Sequence, residues 1–330
     1  MTGRAKKRLV LAALLVLAAA GFIASLLSGP VPTSLRELGD FLLGRGGDKA
    51  TIFRDLRLTR ALLAFIVGAA LSLAGAILQG YFRNPMADPF IVGVSSGASL
   101  GAVAALAVGF DVVLVGFSGQ GLAAFCCGLG IVSLVYFVSQ RRGVFRLESL
   151  LLTGVAAGAM ASALTSFLLF LRSDSYEQAV FWLLGSFALA DWRQVGTVVP
   201  YLFAGLVLAQ FLAKDMNLLA MGDEAAEALG CPVRRVRVAF LVVATMLAAT
   251  AVSVSGIIGF VGLIVPHAVR LLIGPDHRSL FGYAALGGGV FLLFSDLLAR
   301  SLLAATELPV GVITAAVGAP FFIYLLNRRR

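Results

Sequence analysis

The chain is 330 residues long, 60% of them hydrophobic and only 13% charged, and its mean hydropathy is +0.98. These values exclude an ordinary soluble protein, and 26 basic with 17 acidic residues are too few charges for a disordered or nucleic-acid-binding chain. The composition predicts an all-α, polytopic membrane protein, whose net charge of +9 is explained if basic residues are retained on cytoplasmic loops.

The first apolar run extends from Leu9 to Leu27, directly after four basic residues. It is too long for the apolar core of a signal peptide, roughly 7 to 15 residues, so we interpret it as a retained spanning helix. Nine more runs approach the roughly 20 residues that a span requires. They lie at about 61–82, 91–110, 112–139, 147–171, 195–213, 236–254, 257–273, 280–303 and 309–326. The sequence therefore predicts ten transmembrane helices in one domain, residues 1–330, with an outer loop at about 29–60.

The distribution of basic residues predicts the orientation. Ten helices place both termini on one side of the membrane, and if that side is the cytoplasm, 17 of the 26 basic residues lie inside. Arg141, Arg142, Arg146, Arg329 and Arg330 are among those 17. Six of the other nine belong to segment 29–60, where four acids accompany them. We therefore expect both termini to be cytoplasmic.

Catalytic and metal-binding motifs are not recognisable. None of the lysines follows a glycine as a Walker A loop requires, so ATP hydrolysis by that route is excluded. The spans also lack the paired aspartates, the serine with a base, or the HExxH motif of an intramembrane protease. Three cysteines and two histidines do not form a zinc-binding pattern. We expect neither an enzyme nor a protein with a bound metal or cofactor.

Two polar positions inside the apolar runs have both a structural and a functional interpretation. Asp296 is the one acid well inside a span, and Arg300 lies one turn later on the same face, so a local ion pair competes with a functional role. Pro266 should kink or end its helix. His267 and Arg270 would then share a face near the inner surface, either in structural hydrogen bonding or in gating or partner contact.

Small residues and prolines in the region after residue 67 predict helix packing and a turn. Positions 68, 72, 75 and 76 are glycine, serine or alanine, a spacing that predicts close helix packing. Two prolines four residues apart in the stretch 83–89 predict a non-helical inner turn. The stretch 93–101 is a glycine-spaced helix start, suited to tight packing or to a backbone that lines a path.

The polar stretch 222–230 has the pattern of a short helix outside the membrane. Asp223 can cap its N-terminus, Glu224 favours the positive end of the dipole, and Gly230 ends it. Such a helix is either a plain connector or a docking element, and in the second case Leu229 and the alanines would offer an apolar contact.

Several stretches together resemble the FecCD/BtuC-like permeases of ATP-binding-cassette (ABC) importers, in family order over nearly the whole chain. They are Arg57-Leu-Thr-Arg60, Leu78-Gln-Gly80, Arg83-Asn-Pro-Met-Ala-Asp-Pro89, Gly93-Val-Ser-Ser-Gly97, Trp182-Leu-Leu-Gly-Ser186, Gly222 to Gly230, Gly259-Phe-Val-Gly-Leu-Ile-Val-Pro-His267 and Glu307-Leu-Pro-Val-Gly-Val-Ile-Thr314. One departure is Thr59, where the family usually has proline between the two arginines.

The resemblance implies a ten-helix permease of a bacterial cytoplasmic membrane that pairs with a second copy of itself. It also implies two ATPase subunits on the cytoplasmic face, which hydrolyse the ATP. A periplasmic or lipid-anchored binding protein would deliver a ferric siderophore, haem or cobalamin. Membrane lipid is the remaining partner, and no nucleic acid is expected.

The resemblance and the motifs together give four groups of candidate residues. For coupling to the ATPase they are Gly222, Asp223, Glu224, Ala225, Ala226, Glu227, Leu229 and Gly230. For docking of the binding protein they are Arg57, Arg60 and Arg300, which we expect to be exposed on the outer face. For the translocation path or gate they are Gly93, Ser95, Ser96, Gly97, Glu307, Pro309, Gly311 and Thr314. For structural motifs they are Asn84, Pro85, Asp88, Pro89, Pro266, His267 and Arg270.

Two alternatives stay open at this point. A secondary transporter driven by a proton or sodium gradient usually needs buried acids near the membrane midplane, and Asp296 stands almost alone there. The three outer arginines could also simply anchor the chain at the lipid interface.

Overall fold

The computed structural model describes residues 3–45, 47–110, 112–114, 116–140, 147–171, 176–303 and 306–328. Arg141, Arg142, Arg146, Arg329 and Arg330, which entered the orientation argument, lie outside these ranges. The described chain folds into fourteen α-helices, with a two-stranded hairpin and short 3-10 and π-helical turns between them. The all-α prediction is confirmed.

Ten helices of the described chain account for the ten predicted spans. Seven are long and apolar enough to cross a membrane: α1 (Gly3–Leu27), α3 (Thr59–Tyr81, continuous with the π-helical turn Ile52–Leu58), α5 (Gly119–Ser139), α6 (Leu147–Leu171), α8 (Trp192–Phe211), α11 (Val233–Ser255) and α13 (His277–Ser301). Three are shorter and apolar: α4 (Val94–Val108), α12 (Val261–Ile273) and α14 (Val310–Arg328). The other helices are α2 (Leu35–Leu42), α7 (Tyr176–Leu183), α9 (Ala213–Leu219) and α10 (Asp223–Ala228).

Some predicted boundaries were wrong. The run predicted at 112–139 begins with a hairpin of strands β1 (Val113–Leu114) and β2 (Phe117–Ser118), and α5 starts only at Gly119. Ser118 accepts a hydrogen bond from the amide of Gly121 at 3.2 Å, which caps the helix there. Segment 29–60 is largely helical rather than a loop. It contains α2, which a capping box between Ser34 and Glu37 starts.

Helix α3 forms the centre of the molecule, packed against α8, α11, α12 and α13. In the most apolar 18-residue stretch of this helix and its π-helical turn, 89% of the residues are buried. A Cβ atom at Gly68 would lie 2.3 Å from the carbonyl oxygen of Gly288, and one at Gly75 would lie 1.9 Å from that of Gly262. Ser72 donates to the carbonyl of Ala284 at 2.7 Å. The close packing predicted from the small residues is confirmed, because no larger side chain fits at these crossings.

Pro266 was predicted to kink or end its helix, and it does not end it, because the proline lies inside α12, which continues to Ile273. Proline has no N–H, so the carbonyl of Gly262 four residues earlier loses its helical donor. Gln79 of α3 replaces it: its Nε2 atom donates to Gly262 at 3.3 Å and to Leu263 at 3.0 Å. A side chain from the central helix thus satisfies the defect that the proline creates.

The two ends of the bundle are chemically distinct. At one end Lys7 of α1 donates to Ser279 at 2.8 Å and accepts from Tyr283 through its carbonyl at 2.9 Å. At the other end Arg300 of α13 reaches the end of α1. We call the end with Lys7 and α10 the inner face, following the predicted orientation, and the end with Arg300 the outer face.

Candidate functional site

The outer face carries a buried ionic cluster centred on Asp296. Arg60, at the start of α3, donates to Asp296 from Nη2 at 2.9 Å and from Nε at 3.1 Å to each carboxylate oxygen. Its Nη1 atom also donates to Glu307 at 2.8 Å. The side chain of Asp296 is 1% exposed and that of Arg60 is 11% exposed. The cluster joins α3, α13 and the segment before α14.

Arg57 and Arg300 bind backbone groups instead of facing outward. Arg300 donates to the carbonyl of Ser25 at 2.8 Å, and its Nε lies 3.7 Å from Asp296. Arg57 donates to the carbonyls of Leu26 at 2.6 Å and Val31 at 2.5 Å. The local ion pair between Asp296 and Arg300 therefore exists, but the main partner of Asp296 is Arg60, far away in sequence.

The expected exposure of the three arginines is wrong. Arg57 is buried, and the side chains of Arg60 and Arg300 are 11% and 6% exposed. They border an outer cavity of about 260 Å³. Their role in docking stays a prediction, and it now requires an incoming carboxylate to compete with internal partners. The departure at Thr59 is harmless, because its hydroxyl donates to the carbonyl of Arg54 at 2.9 Å within the continuous helix.

On the inner face, α10 is anchored by an ion pair. The prediction that Asp223 caps this helix is wrong: Gly222 is the capping residue, with φ of 117°, and no side chain bonds the helix start. Asp223 instead accepts from Nη2 of Arg237 at 2.6 Å and lies 3.6 Å from Arg83. Arg237 also donates to the carbonyl of Tyr81, the last residue of α3, at 3.1 Å. Helix α10 is therefore fastened to the helix whose other end carries Arg60.

The exposed surface of α10 differs from the expected one. Ala226 is fully buried, so it cannot form a contact surface. Glu224, Glu227 and Gly230 are exposed and Ala225 is half-buried. The large apolar side chains on either side of α10, Met221 and Leu229, are 67% and 61% exposed. These two residues present an apolar pair towards solvent at the inner face.

The turn between α3 and α4 is non-helical from Asn84 to Asp88, as predicted, but its second proline begins a short 3-10 helix, Pro89–Val92. Asn84 accepts from the amide of Met86 at 3.0 Å, and Asp88 accepts from the amide of Phe90 at 2.8 Å. Burial raises the pKa of Asp88 to about 6, against the lowering effect of the Phe90 hydrogen bond. Pro85 is half-buried in this turn. Pro89 packs so closely on α12 that a Cβ at Gly262 would lie 2.6 Å from its ring.

The predicted path residues fall into two places. Gly93 and Gly97 are buried where α4 packs against α5 and α6, and Ser95 and Ser96 beside them are half-buried. Pro309 and Gly311 belong to the start of α14, where the amide of Val310 donates to the carbonyl of Gly185 at 3.0 Å. Thr314 is fully buried and donates to Gly311 at 3.1 Å. On α12, His267 is buried and Arg270 half-buried.

A surface cleft of about 750 Å³ lies beside α7 and was not predicted. It is bounded by α7, the turn after it, the starts of α5 and α8 and the end of α11. Its lining is Ser118, Gln120, Glu177, Gln178, Phe181, Trp182, Ser186, Ala188, Leu189, Gln194, Ser253, Val254 and Ser255. Leu189 is 89% exposed, so the cleft is open at the protein surface. The signal in the sequence was the motif Trp182-Leu-Leu-Gly-Ser186, whose first and last residues line the cleft.

The cleft is linked to the predicted α14 turn and to α11. The amide of Ser186 donates to the carbonyl of Ser255 at 2.9 Å, and the neighbouring Gly185 accepts from Val310. A Cβ at Gly311 would lie 2.3 Å from the carbonyl of Leu184, so the start of α14 packs directly on the turn after α7. The predicted path residues thus include a neighbour of the cleft wall, whereas none of them lines the cleft itself.

Residues 15–328 match the FecCD transport family. The cobalamin import permease BtuC of Halobacterium salinarum is 47% identical over 278 residues, covering 84% of this chain and 74% of the relative. The hemin transport permease HmuU of Yersinia pestis is 38% identical over 333 residues, covering 100% and 98%. The Fe(3+) dicitrate transport permease FecD of Escherichia coli is 38% identical over 325 residues, covering 98% and 100%.

A solved structure shares the fold over almost the whole chain. It is an inward-facing conformation of a metal-chelate type ABC transporter, 33% identical, with a TM-score of 0.84. The match covers 97% of this chain and 99% of the other.

Proposed function

The chain belongs to the FecCD transport family, and from that premise we propose that it is the membrane-spanning permease subunit of an ABC importer in the bacterial cytoplasmic membrane. Its solute is a ferric siderophore, haem or cobalamin. The observation that carries this proposal is agreement in sequence and fold over nearly the full chain, together with a cleft large enough to take part of such a solute.

A second copy of the chain completes the translocation path. The cleft of about 750 Å³ is open to the surface, so a single subunit does not enclose a solute in it. Two copies related by a two-fold axis would close two such clefts into one passage. Its wall combines amide, hydroxyl and carboxylate groups with exposed Phe181 and Leu189, a mixture suited to a large solute with a polar periphery.

The ATPase subunits dock on the inner face at α10. The exposed Met221 and Leu229 supply an apolar contact, and the Asp223–Arg237 pair fixes this helix to α3 and α11. A push on α10 would thus be transmitted to the central helix and to α11, whose far end forms part of the cleft. The ATP-hydrolysing activity belongs to these partners.

The binding protein docks on the outer face at the Arg57, Arg60 and Arg300 cluster. Arg60 offers the accessible route, because its partner Glu307 has a side chain that is 44% exposed and can be displaced. A carboxylate from the binding protein would take the place of Glu307, with the two parallel hydrogen bonds that guanidinium favours.

Uptake into proteoliposomes tests the whole proposal. The permease is reconstituted with its ATPase and binding protein, and ferric siderophore, haem and cobalamin are offered in turn. We expect one of them to accumulate only with ATP inside, with no effect of ionophores. Accumulation driven by an ion gradient without ATP would show a secondary transporter instead. Asp296 offers no support for that alternative, since Arg60 already neutralises it.

The homodimer has its own test. Single cysteines at Glu177 or Leu189, on the rim of the cleft, should cross-link between two copies in the membrane. A cysteine at Val207, which is 50% exposed on α8 away from the cleft lining, is the control that should not. Equal cross-linking at all three positions would reject a path formed at the cleft.

A further inference from the structure

Two apolar grooves lie side by side on the outward surface of α5, α8 and α11, outside every surface that the proposed function uses. One, of about 380 Å³, runs between α5 and α11, and the other, of about 270 Å³, runs between α8 and α11. Met246 of α11 lies between them and lines both. In a membrane-spanning protein, grooves on this surface face lipid.

The grooves have the length of one leaflet. The larger groove extends along α11 from Val238 to Met246 and the smaller along α8 from Pro200 to Leu208. Each range is eight steps of about 1.5 Å, or about 12 Å. Half of a hydrocarbon core of about 30 Å is about 15 Å. Val238 of the larger groove is near the inner end of α11, and Leu208 of the smaller groove is near the inner end of α8, so both grooves lie in the inner leaflet.

Two arginines stand at the inner end of both grooves. Arg234 lies four residues before Val238 and eleven before Thr245, so these three share one face of α11. Arg235 lies eleven residues before Met246, on the neighbouring face. Both arginines are exposed, and neither forms an ion pair with any residue that the structure describes. Each row of groove residues on α11 therefore begins at an exposed arginine.

The third arginine of this stretch, Arg237, differs from the other two. Arg237 is buried, and its guanidinium donates hydrogen bonds to Asp223 and to the carbonyl of Tyr81. The inner end of α5 adds polar groups at the same level, where Gln140 donates to the hydroxyl of Tyr136, a residue that lines the larger groove. A tyrosine at this level is typical of the boundary between lipid tails and headgroups.

We infer that this surface binds one anionic glycerophospholipid of the inner leaflet. Its phosphate lies between Arg234 and Arg235, one acyl chain lies in the α5–α11 groove and the other in the α8–α11 groove, on either side of Met246. The charge of the two arginines complements the phosphate, and two grooves of one-leaflet length match two acyl chains. A second copy of this chain would instead have to bury both arginines without a counter-ion.

Native mass spectrometry of the purified permease in detergent tests the site, with phosphatidylglycerol and zwitterionic phosphatidylethanolamine of equal chain length as probes. We expect the wild type to retain phosphatidylglycerol preferentially. Each arginine should contribute about fivefold, equivalent to about 1 kcal/mol near an anionic surface, so R234Q/R235Q should lose about 25-fold. R278Q removes an exposed inner-face arginine of α13 that borders neither groove, and it should change nothing.

Further variants separate the headgroup from the chains. R234K/R235K keeps the charge and should keep the preference, which shows that loss in R234Q/R235Q is not misfolding. Thr245→Trp fills the larger groove and should weaken both lipids, whereas glycerol phosphate, which has no acyl chains, should not displace bound phosphatidylglycerol. Equal retention of the two lipids by the wild type, or an unchanged preference in R234Q/R235Q, would overturn the inference. So would conversion of a dimer to monomers by Thr245→Trp, because the grooves would then belong to an interface between copies.

Discussion

Replacing Asp296 by asparagine should destabilise the protein more than any other single change in the outer cluster. The carboxylate neutralises Arg60 and lies near Arg300, whose side chains are 11% and 6% exposed. Asparagine leaves two buried guanidinium groups with Glu307 as the remaining acid. Breaking a buried ion pair by removing one partner costs about 3–5 kcal/mol. Because Glu307 still contacts Arg60, we expect the lower end, about 3 kcal/mol.

The matched control is Glu307→Gln, which removes the other carboxylate of the same arginine. The side chain of Glu307 is 44% exposed, and exposed ion pairs contribute about 1 kcal/mol or less. The two variants delete the same charge from partners of one residue, so their difference isolates the effect of burial.

The assay is unfolding by SDS titration in mixed micelles, followed by tryptophan fluorescence. Trp192 is a suitable reporter, since its indole donates to Asp55 at 3.1 Å on the outer face. The double variant Arg60→Met/Asp296→Leu should cost less than Asp296→Asn, because it leaves one buried guanidinium group, that of Arg300, instead of two. If Asp296→Asn were no more destabilising than Glu307→Gln, the burial argument would be refuted.

Three further changes test other parts of the structure. Leu229→Arg should reduce ATP-driven uptake at least tenfold with normal amounts of permease in the membrane, because a central apolar contact contributes about 2 kcal/mol to an interface. The control Ala226→Arg should instead reduce the amount of folded protein. Full uptake by Leu229→Arg would reject α10 as the docking site. Gly75→Ala should cost at least about 3 kcal/mol in the SDS assay, since its Cβ would lie 1.9 Å from a carbonyl oxygen, whereas Gly282→Ala, with open space around its Cβ, should be neutral or slightly stabilising. Gln79→Leu should lower the free energy of unfolding by about 1–3 kcal/mol, because it leaves the carbonyl of Gly262 without a hydrogen-bond donor. This loss should be smaller in a Pro266→Ala background, where the restored amide can bond that carbonyl. An equal loss in both backgrounds would contradict the role assigned to Gln79.

Features that depend on local composition were predictable. A span needs about 20 apolar residues whatever its neighbours are, and the ten runs correspond to ten observed helices. The spacing of Gly68, Ser72 and Gly75 predicted close crossings, because small residues on one helix face permit them with any partner helix. The hairpin before α5 was missed because the prediction used only the length of the apolar run. Strands β1 and β2 contain apolar residues, so the run length does not distinguish them from the end of a helix.

Pairings between distant helices were decided by the tertiary structure. From the sequence, Asp296 had a neighbour at Arg300, yet its main partner is Arg60, which α3 brings within 2.9 Å. The sequence does not show the hydrogen-bond partner of Gln79, because only the packing of α12 places Gly262 and Pro266 beside it. Ala226 looks accessible on a short polar helix and is buried. Hydrophobic periodicity states which residues leave water but not which helix they meet, because helix order and rotation are fixed by packing of the whole bundle. The cleft is a product of that packing, since its walls combine α7 and α8 with α5 and α11, which are distant in the chain.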